Sequence, residues 1–421
     1  MKKIRVDFRR QIFSTGFGHA LHLVRNILVA NILGPYWTGL FNSISTYVQV
    51  VSYCALGTAD SLTVQIPYYR GKKKAGYLEK LKGTIFTFNL GVSVALFIGV
   101  CVWVIFISKQ VYNIRISIFL CGVWAIFTQV YLFFSSYLSG ERRFSQLSFL
   151  ESLLSILLFV FNIAGTYWAL REGYWGGLIL SYVIICAVSV YLVKKKEKIN
   201  YFQFDWTVLK KNLPLSILLG FSRSLYLLFV SLIKVFLTVF SGVTAVGYFL
   251  PAIIILSRLS IMTKMIGNLN LPRFSMLNGK TNKADVIYKM FLKTQKYALF
   301  STLPIVVPGV FLVSPMISLF LPRFKEGAGA AILILLAGIP FCLIENANNI
   351  LLSMKKKRMF FAFLMLALAA LLVFLAAFKS RIPILMTSGA SLLCAFFVYS
   401  LAVNLYAMRF LKMRIAHEKQ A

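Results

Sequence analysis

The sequence predicts an all-α integral membrane protein of about twelve transmembrane helices, arranged as two parallel six-helix lobes with both termini cytoplasmic. Three observations lead there: too much apolar surface for a soluble chain, apolar runs long enough to cross a bilayer, and basic residues confined to alternate connections. Of 421 residues, 59% are hydrophobic and only 14% are charged. Soluble domains are about 45–50% apolar and about 25% charged, and the surface of a soluble globule of this size has no place for the excess. Lys and Arg number 45 against 12 Asp and Glu, a formal charge of +33. In a soluble chain that balance would suggest nucleic acid. Here nearly every basic residue falls between apolar runs, so the preference of cytoplasmic loops for Lys and Arg accounts for it. Nucleic-acid binding and water-soluble enzymes are excluded on that ground.

The apolar runs lie near 11–33, 38–66, 84–108, 116–138, 147–170, 173–193, 213–240, 246–271, 298–321, 328–354, 359–378 and 383–408. Each approaches or exceeds the roughly 20 residues a spanning helix needs. None alternates as a barrel strand would. The first run is too long for a signal peptide and no small-residue cleavage site follows it, so it reads as an uncleaved helix. Basic clusters at 2–10, 70–82, 142–143, 194–211, 273–296, 355–358 and 409–419 mark one side. The other side has only Lys109, Arg115, Arg171, Arg323, Lys325, Lys379 and Arg381. Both ends then face the cytoplasm, with an even number of spans.

The connections limit what the chain can be. The longest, 194–212 and 272–297, leave no room for a catalytic domain, so no catalytic residue is assigned and any driving force must come from an ion gradient, the membrane potential or substrate supply. Asn278-Gly279-Lys280-Thr281 resembles the tail of a phosphate loop. The first glycine of that motif is replaced by Phe274 and no strand precedes it, so it reads as a polar turn. Six scattered cysteines and three histidines make neither a disulfide frame nor a metal site. No cofactor is expected beyond a coupling Na+ or H+.

The chain also repeats itself. Gly34-Pro35-Tyr36-Trp37-Thr38-Gly39-Leu40-Phe41 and Gly242-Val243-Thr244-Ala245-Val246-Gly247-Tyr248-Phe249 share the spacing of two glycines and a phenylalanine. Ile66-Pro67-Tyr68-Tyr69 matches Leu271-Pro272-Arg273-Phe274, and Leu138-Ser139 with Arg142 matches Leu352-Ser353 with Lys355. Three matches in register predict a duplication, with lobes at 1–200 and 201–421. Six spans per half make the repeats parallel, a build that places substrate between lobes and alternates access by rocking them.

These same residues carry a resemblance. Ile32-Leu33-Gly34-Pro35, Gly39-Leu40-Phe41, Pro67 with Tyr69-Arg70-Gly71-Lys72, and the stretch from Leu271-Pro272-Arg273-Phe274 to Lys293 resemble the polysaccharide-transport flippases. Those belong to the multidrug/oligosaccharidyl-lipid/polysaccharide (MOP) exporter superfamily, which includes the O-antigen flippases. The resemblance extends over the whole chain in span number, lobe size and loop length. It implies a V-shaped pair of six-helix lobes in a bacterial inner membrane, moving undecaprenyl-diphosphate-linked oligosaccharide outward. Anionic lipids and glycan polymerase or assembly proteins are the partners it implies.

Charges within the spans are the candidate site. Arg25, Arg223, Lys234, Arg258 and Lys264 are basic, and Asp60, Glu151 and Glu345 acidic. A charge at mid-bilayer costs about 2.5–3.5 kcal/mol on insertion scales, so such residues face a wet cavity or one another. His22, Arg25 and Asn26 form one polar face, and Arg223 and Lys234 share another. Together they predict a cationic cavity, in which the planar fork of arginine suits a diphosphate. The flippase resemblance, with cavity arginines in the first and eighth helices, supports Arg25 and Arg258. Lys234 and Lys264 are equally explained by snorkelling. Glu345, Asn348 and Asn349 share a face that suits a cation or sugar hydroxyls. Asp60 and Glu151, one to two turns from the cytoplasmic end, suit a coupling-ion site, a gate latch or a salt bridge to an arginine. His19 and His22 fit helix packing or proton relay. Pro251, Pro304, Pro308 and Pro340 are candidate kinks. Two rivals remain: a cation-coupled multidrug exporter of the same superfamily, disfavoured by five basic against three acidic residues in the spans, and a non-transporting scaffold of a glycan assembly complex.

Overall fold

A computed structural model describes residues 2–107, 112–194, 203–260, 284–354 and 356–420, together with 263 and 274. Every regular element among them is helical. In chain order these are α1 (Lys2–Cys54), α2 (Thr58–Gly71), α3 (Ala75–Val102, continued by a π-helical turn Trp103–Ile107), α4 (Tyr112–Gly140), α5 (Phe144–Lys194) and α6 (Trp206–Ser241). There follow α7 (Val243–Tyr248), α8 (Leu250–Ser260), α9 (Ala284–Phe320), a 3₁₀ turn (Pro322–Gly327), α10 (Ala328–Ser353), α11 (Lys357–Phe378) and α12 (Ile384–Gln420). Seven helices are long and apolar enough to cross a membrane, and an eighth is reached if the two halves of α6, bent by 65°, count as one span. A bilayer interior leaves no other solution for so apolar a backbone, since each peptide group must bond within its own segment.

The difference between seven and twelve lies in where helices bend. α1 covers the first run and most of the second because it is two helices joined at Gly34 (φ 75, ψ 175), with Pro35 opening the second. α5 covers the fifth and sixth, joined at Ala169 and Leu170. Its halves fold back on each other: a Cβ on Gly173 would lie 1.8 Å from the Gly165 carbonyl oxygen, and one on Gly177 would lie 2.3 Å from that of Phe161. Asn162 Nδ2 closes the hairpin by donating to the Tyr174 carbonyl at 2.8 Å. The expected second span is also interrupted. Leu56 (φ 53) and Gly57 (φ 63) separate α1 from α2, and Gly57 lies so close to α6 that a Cβ there would sit 2.4 Å from the Gly220 Cα. With these breaks the described helices fall on all twelve apolar runs, the eighth being described only as far as residue 260.

Two glycines of the expected repeat share a backbone conformation. Gly242, which precedes α7, has φ 79 and ψ 175, the conformation of Gly34. That region of φ and ψ is essentially reserved for glycine. The two glycines aligned in the sequence therefore make the same bend.

Contacts divide the chain into two compact units, Met1–Ser231 and Leu232–Ala421, so that the division falls inside α6. In the first unit α5 packs along α1 and α4, and α2 lies against α3 and α4. In the second, α10 runs between α9 and α12, and Leu259 of α8 joins Val306 and Leu335 in a buried cluster. Lipid gives helices no hydrophobic reason to associate, so close backbone approach and interhelical hydrogen bonds hold such bundles. Both are present: the glycine contacts above, and bonds such as Asn89 Nδ2 to Thr58 Oγ1 (2.8 Å) and Gln129 Nε2 to Ser52 Oγ (2.7 Å).

Candidate functional site

The first unit gathers Arg25, Asn26 and Glu151 of the expected residues. Arg25 is half-buried on α1, and its Nη2 donates to Asn26 Oδ1 at 2.8 Å. Its electrostatic neighbours are the phenols of Tyr174 and Tyr182 on α5. Among the described residues it has no carboxylate partner. Tyr174 stacks on Phe41 with centroids 4.8 Å apart, and Trp175 meets Phe41 edge-on at 5.3 Å. Trp124 and Tyr131 of α4 each lie 6.0 Å from the Tyr182 ring. The indole N–H of Trp124 faces the Tyr182 hydroxyl, and that of Trp175 is buried without a hydrogen-bond acceptor among the described residues. A cation, two phenols and one unused indole donor thus share one aromatic-walled region.

Glu151 is half-buried about two turns into α5. It lies near Tyr131. Ser155, one turn further on, donates to the Glu151 carbonyl at 2.8 Å, and its Oγ is 3.4 Å from His22 Nε2. Gly18 packs on that serine, since a Cβ would come within 2.6 Å of Ser155 Oγ. His19 stands 6.4 Å from His22, ring to ring. The polar face of α1 is therefore the face it turns to α5.

Asp60 lies elsewhere, in the first turn of α2, half-buried. The second run is not one helix but two, and α2 continues to Gly71, so Asp60 is about three turns from the end of its helix. A carboxylate at a helix N-terminus meets unbonded amides and the positive end of the dipole, which accounts for its place.

Lys234 and Arg258 belong to the second unit. Lys234 is buried on α6 and Arg258 half-buried on α8. Lys234 stands eight residues before Gly242, the spacing of Asn26, the neighbour of Arg25, from Gly34. Glu345 is half-buried and Asn348 and Asn349 are buried on α10. Asn348 Oδ1 accepts from Tyr399 Oη at 2.9 Å, and Glu345 is an electrostatic neighbour of that tyrosine. Gln295 donates to the Leu343 carbonyl at 3.0 Å and to Asn404 Oδ1, while Asn346 reaches the Thr294 carbonyl at 3.4 Å. Gln295, Asn346 and Asn404 thus form an amide network joining α9, α10 and α12, while Asn348 is tied to α12 through Tyr399. The Arg223 side chain, Lys264 and the 278–281 turn lie outside the described residues.

Charge-hunting in the spans missed the uncharged part of the site: Tyr174, Tyr182, Trp124 and Tyr131. Their signal was present as aromatic residues at helical spacing in α4 and α5, but that pattern is shared with ordinary packing. It also missed Glu141, assigned to a loop. Glu141 is buried in the turn between α4 and α5, paired with Arg70 and, at 3.1 Å, with Lys82. Lys82 is itself buried, 4.9 Å over the Tyr137 ring, although the sequence placed it among the solvated loop cations.

No family model matches this chain, and no curated protein does. Solved structures do. An inward-facing multidrug resistance MATE family transporter of the MOP superfamily is 14% identical, with 98% of this chain and 99% of that one covered at TM-score 0.76. A MATE in complex with MaL6 is 15% identical over 99% and 96% at TM-score 0.67. A MOP superfamily transporter from Pyrococcus furiosus, described by the reverse polarity of its binding pocket and a different function suggested by it, is 15% identical over 99% and 96% at TM-score 0.67. This chain is a multi-pass membrane protein with the fold of the MATE transporters.

Proposed function

We propose that the protein is an exporter for an anionic, lipid-linked cargo: a flippase that carries undecaprenyl-diphosphate-linked oligosaccharide across a bacterial inner membrane by alternating access, for surface polysaccharide. The observation that carries this reading is Arg25, a membrane-embedded cation with no carboxylate partner among the described residues, set among tyrosines and tryptophans. A diphosphate would take the guanidinium's paired donors. Sugar faces pack on aromatic rings, which Trp124, Tyr174 and Tyr182 provide, and sugar hydroxyls accept from donors such as the Trp175 indole N–H. Na+ or H+ coupling would fall to Glu151, Asp60 or Glu345.

A second reading, a cation-coupled multidrug exporter, is backed more directly by the solved structures, two of which are named as MATE transporters. The neighbour described by a reversed pocket polarity supports the view that this fold also serves cargo of another charge. The two readings part on one experiment. In a deletion strain complemented with wild type or Arg25→Ala, the flippase reading expects surface glycan to be lost and undecaprenyl-linked units to accumulate in the cytoplasmic leaflet, with Arg25→Ala failing to complement at normal protein level. Unchanged glycan with raised sensitivity to cationic drugs would replace it with the multidrug reading.

A further inference from the structure

Between α1 and the first half of α5 runs an apolar groove of about 420 Å³, lined by Leu28, Phe159, Val160, Ile163, Ala164, Tyr167 and Trp168. From Phe159 to Trp168 it follows the helix for about 13 Å. It opens outward from the bundle, since Tyr167 is 73% and Trp168 83% exposed. The segment is one of the helices apolar enough to span the membrane, and a hydrocarbon chain is the occupant its apolar lining suits.

What distinguishes it from any lipid-facing crevice is its end. Because Gly165 and Gly173 touch back to back, residues 166–172 form the tip of the α5 hairpin, and Tyr167, Trp168 and Arg171 all stand there. The Arg171 guanidinium lies over the Trp37 indole, its Cζ 3.9 Å from the ring centroid. Among the described residues it has no carboxylate partner, and Glu172 beside it is exposed to the outside. Stacking on an indole fixes the plane of the fork and leaves its N–H edges available for a planar acceptor. An acyl chain gains nothing by leaving bilayer for an equally apolar groove, so selectivity must come from the headgroup, and the charge here calls for an anion.

We infer that this groove holds one chain of an anionic phospholipid whose phosphate is bound by Arg171. The site lies on the lipid-facing side of the α5 hairpin and is independent of the cargo reading.

The test titrates delipidated full-length protein with phosphatidylglycerol or phosphatidylcholine and counts bound lipids by native mass spectrometry. One phosphatidylglycerol is expected to bind about tenfold more tightly than phosphatidylcholine, whose phosphate carries the same charge but whose choline ammonium offsets it beside Arg171. Arg171→Gln should abolish the preference while chain binding persists. Ala164→Trp, which fills the groove, should remove both, and Leu28→Trp serves the same purpose if the first variant does not fold. Equal binding of the two lipids, or a preference untouched by Arg171→Gln, overturns the inference. Displacement of bound phosphatidylglycerol by undecaprenyl phosphate at equal concentration would overturn it as well, by assigning the groove to the cargo's tail.

Discussion

At the scale of single residues, burial and pairing decide which charges matter. Glu141 is the plainest case. Its carboxylate is 1% exposed and holds two cations, Arg70 from the end of α2 and Lys82 from α3, so three connections are tied at one point. Removing one member of a buried pair strands the other, at a cost of about 3–5 kcal/mol. Glu141→Gln should therefore lower the melting temperature in detergent far more than Glu79→Gln, an exposed neighbour on α3, and a thermal-shift comparison of the two variants decides it. Asp205 is a contrasting acid, half-exposed yet structured. Its Oδ1 accepts from the Thr207 hydroxyl (2.5 Å), the Thr207 N–H (2.9 Å) and the Val208 N–H (3.2 Å), capping α6. The Thr207 hydroxyl, followed by the Val208 amide, holds its carboxyl below the usual carboxylate range. A depressed carboxyl contributes stability above its unfolded pKa, about 3.9, and loses it as pH falls through the lower folded value. Hydrogen-exchange protection at the first turn of α6, measured against the intrinsic rate at each pH, should accordingly be constant from neutral pH down to about 5 and fall only below about 4, whereas in Asp205→Ala it should be low throughout.

At the scale of elements, the chain is governed by where helices are allowed to bend. Gly34 and Gly242 share a conformation that no residue with a Cβ adopts cheaply, so Gly34→Ala and Gly242→Ala should each cost about 1–3 kcal/mol. At Gly242 a Cβ would meet nothing within 4 Å, so backbone strain alone is tested there. Gly176→Ala is the control: it also meets nothing, sits within a helix, and should be neutral or slightly stabilising by about 0.5–1 kcal/mol. Equal thermal stability of all three variants would mean that the repeated bend is incidental. The sequence told of this bend through spacing, because a glycine forced by φ and ψ recurs wherever the fold recurs. It did not tell of the break at Leu56 and Gly57, where one αL position is leucine and the cause, the contact with Gly220, lies far along the chain. Nor did it tell which aromatic residues surround Arg25. Hydropathy finds the spans because lipid reads composition alone. It cannot tell which face of a span meets a neighbour, since Tyr174 and Tyr191 look the same in the sequence, although the first is packed on Phe41 and the second is exposed.

At the scale of the whole molecule, one physical rule orders most of the charge, and it makes a prediction that packing alone does not. The net +33 is carried almost wholly by clusters on alternate connections, and retention of Lys and Arg on the cytoplasmic side during insertion sets orientation. An even number of spans then returns the C-terminus to the side of the N-terminus. The repeated Gly34 and Gly242 bends strengthen this expectation, because parallel repeats of six spans need the first and seventh spans to enter from the same face. Single cysteines introduced into a cysteine-free chain at Lys73, Arg142, Lys356 and Lys412 should be labelled by a membrane-impermeant maleimide only after the membrane is opened. Cysteines at Leu170, Arg323 and Arg381 should be labelled in intact spheroplasts. The α5 turn is the most informative of these positions, because the lipid-headgroup site proposed at Arg171 would then lie in the outer leaflet. Labelling of position 170 from the cytoplasmic side would reverse the orientation of the first unit and move that site to the inner leaflet. It would also leave the basic clusters on the translocated side, an arrangement the insertion machinery opposes at about 1 kcal/mol or more for each Lys or Arg near an anionic surface.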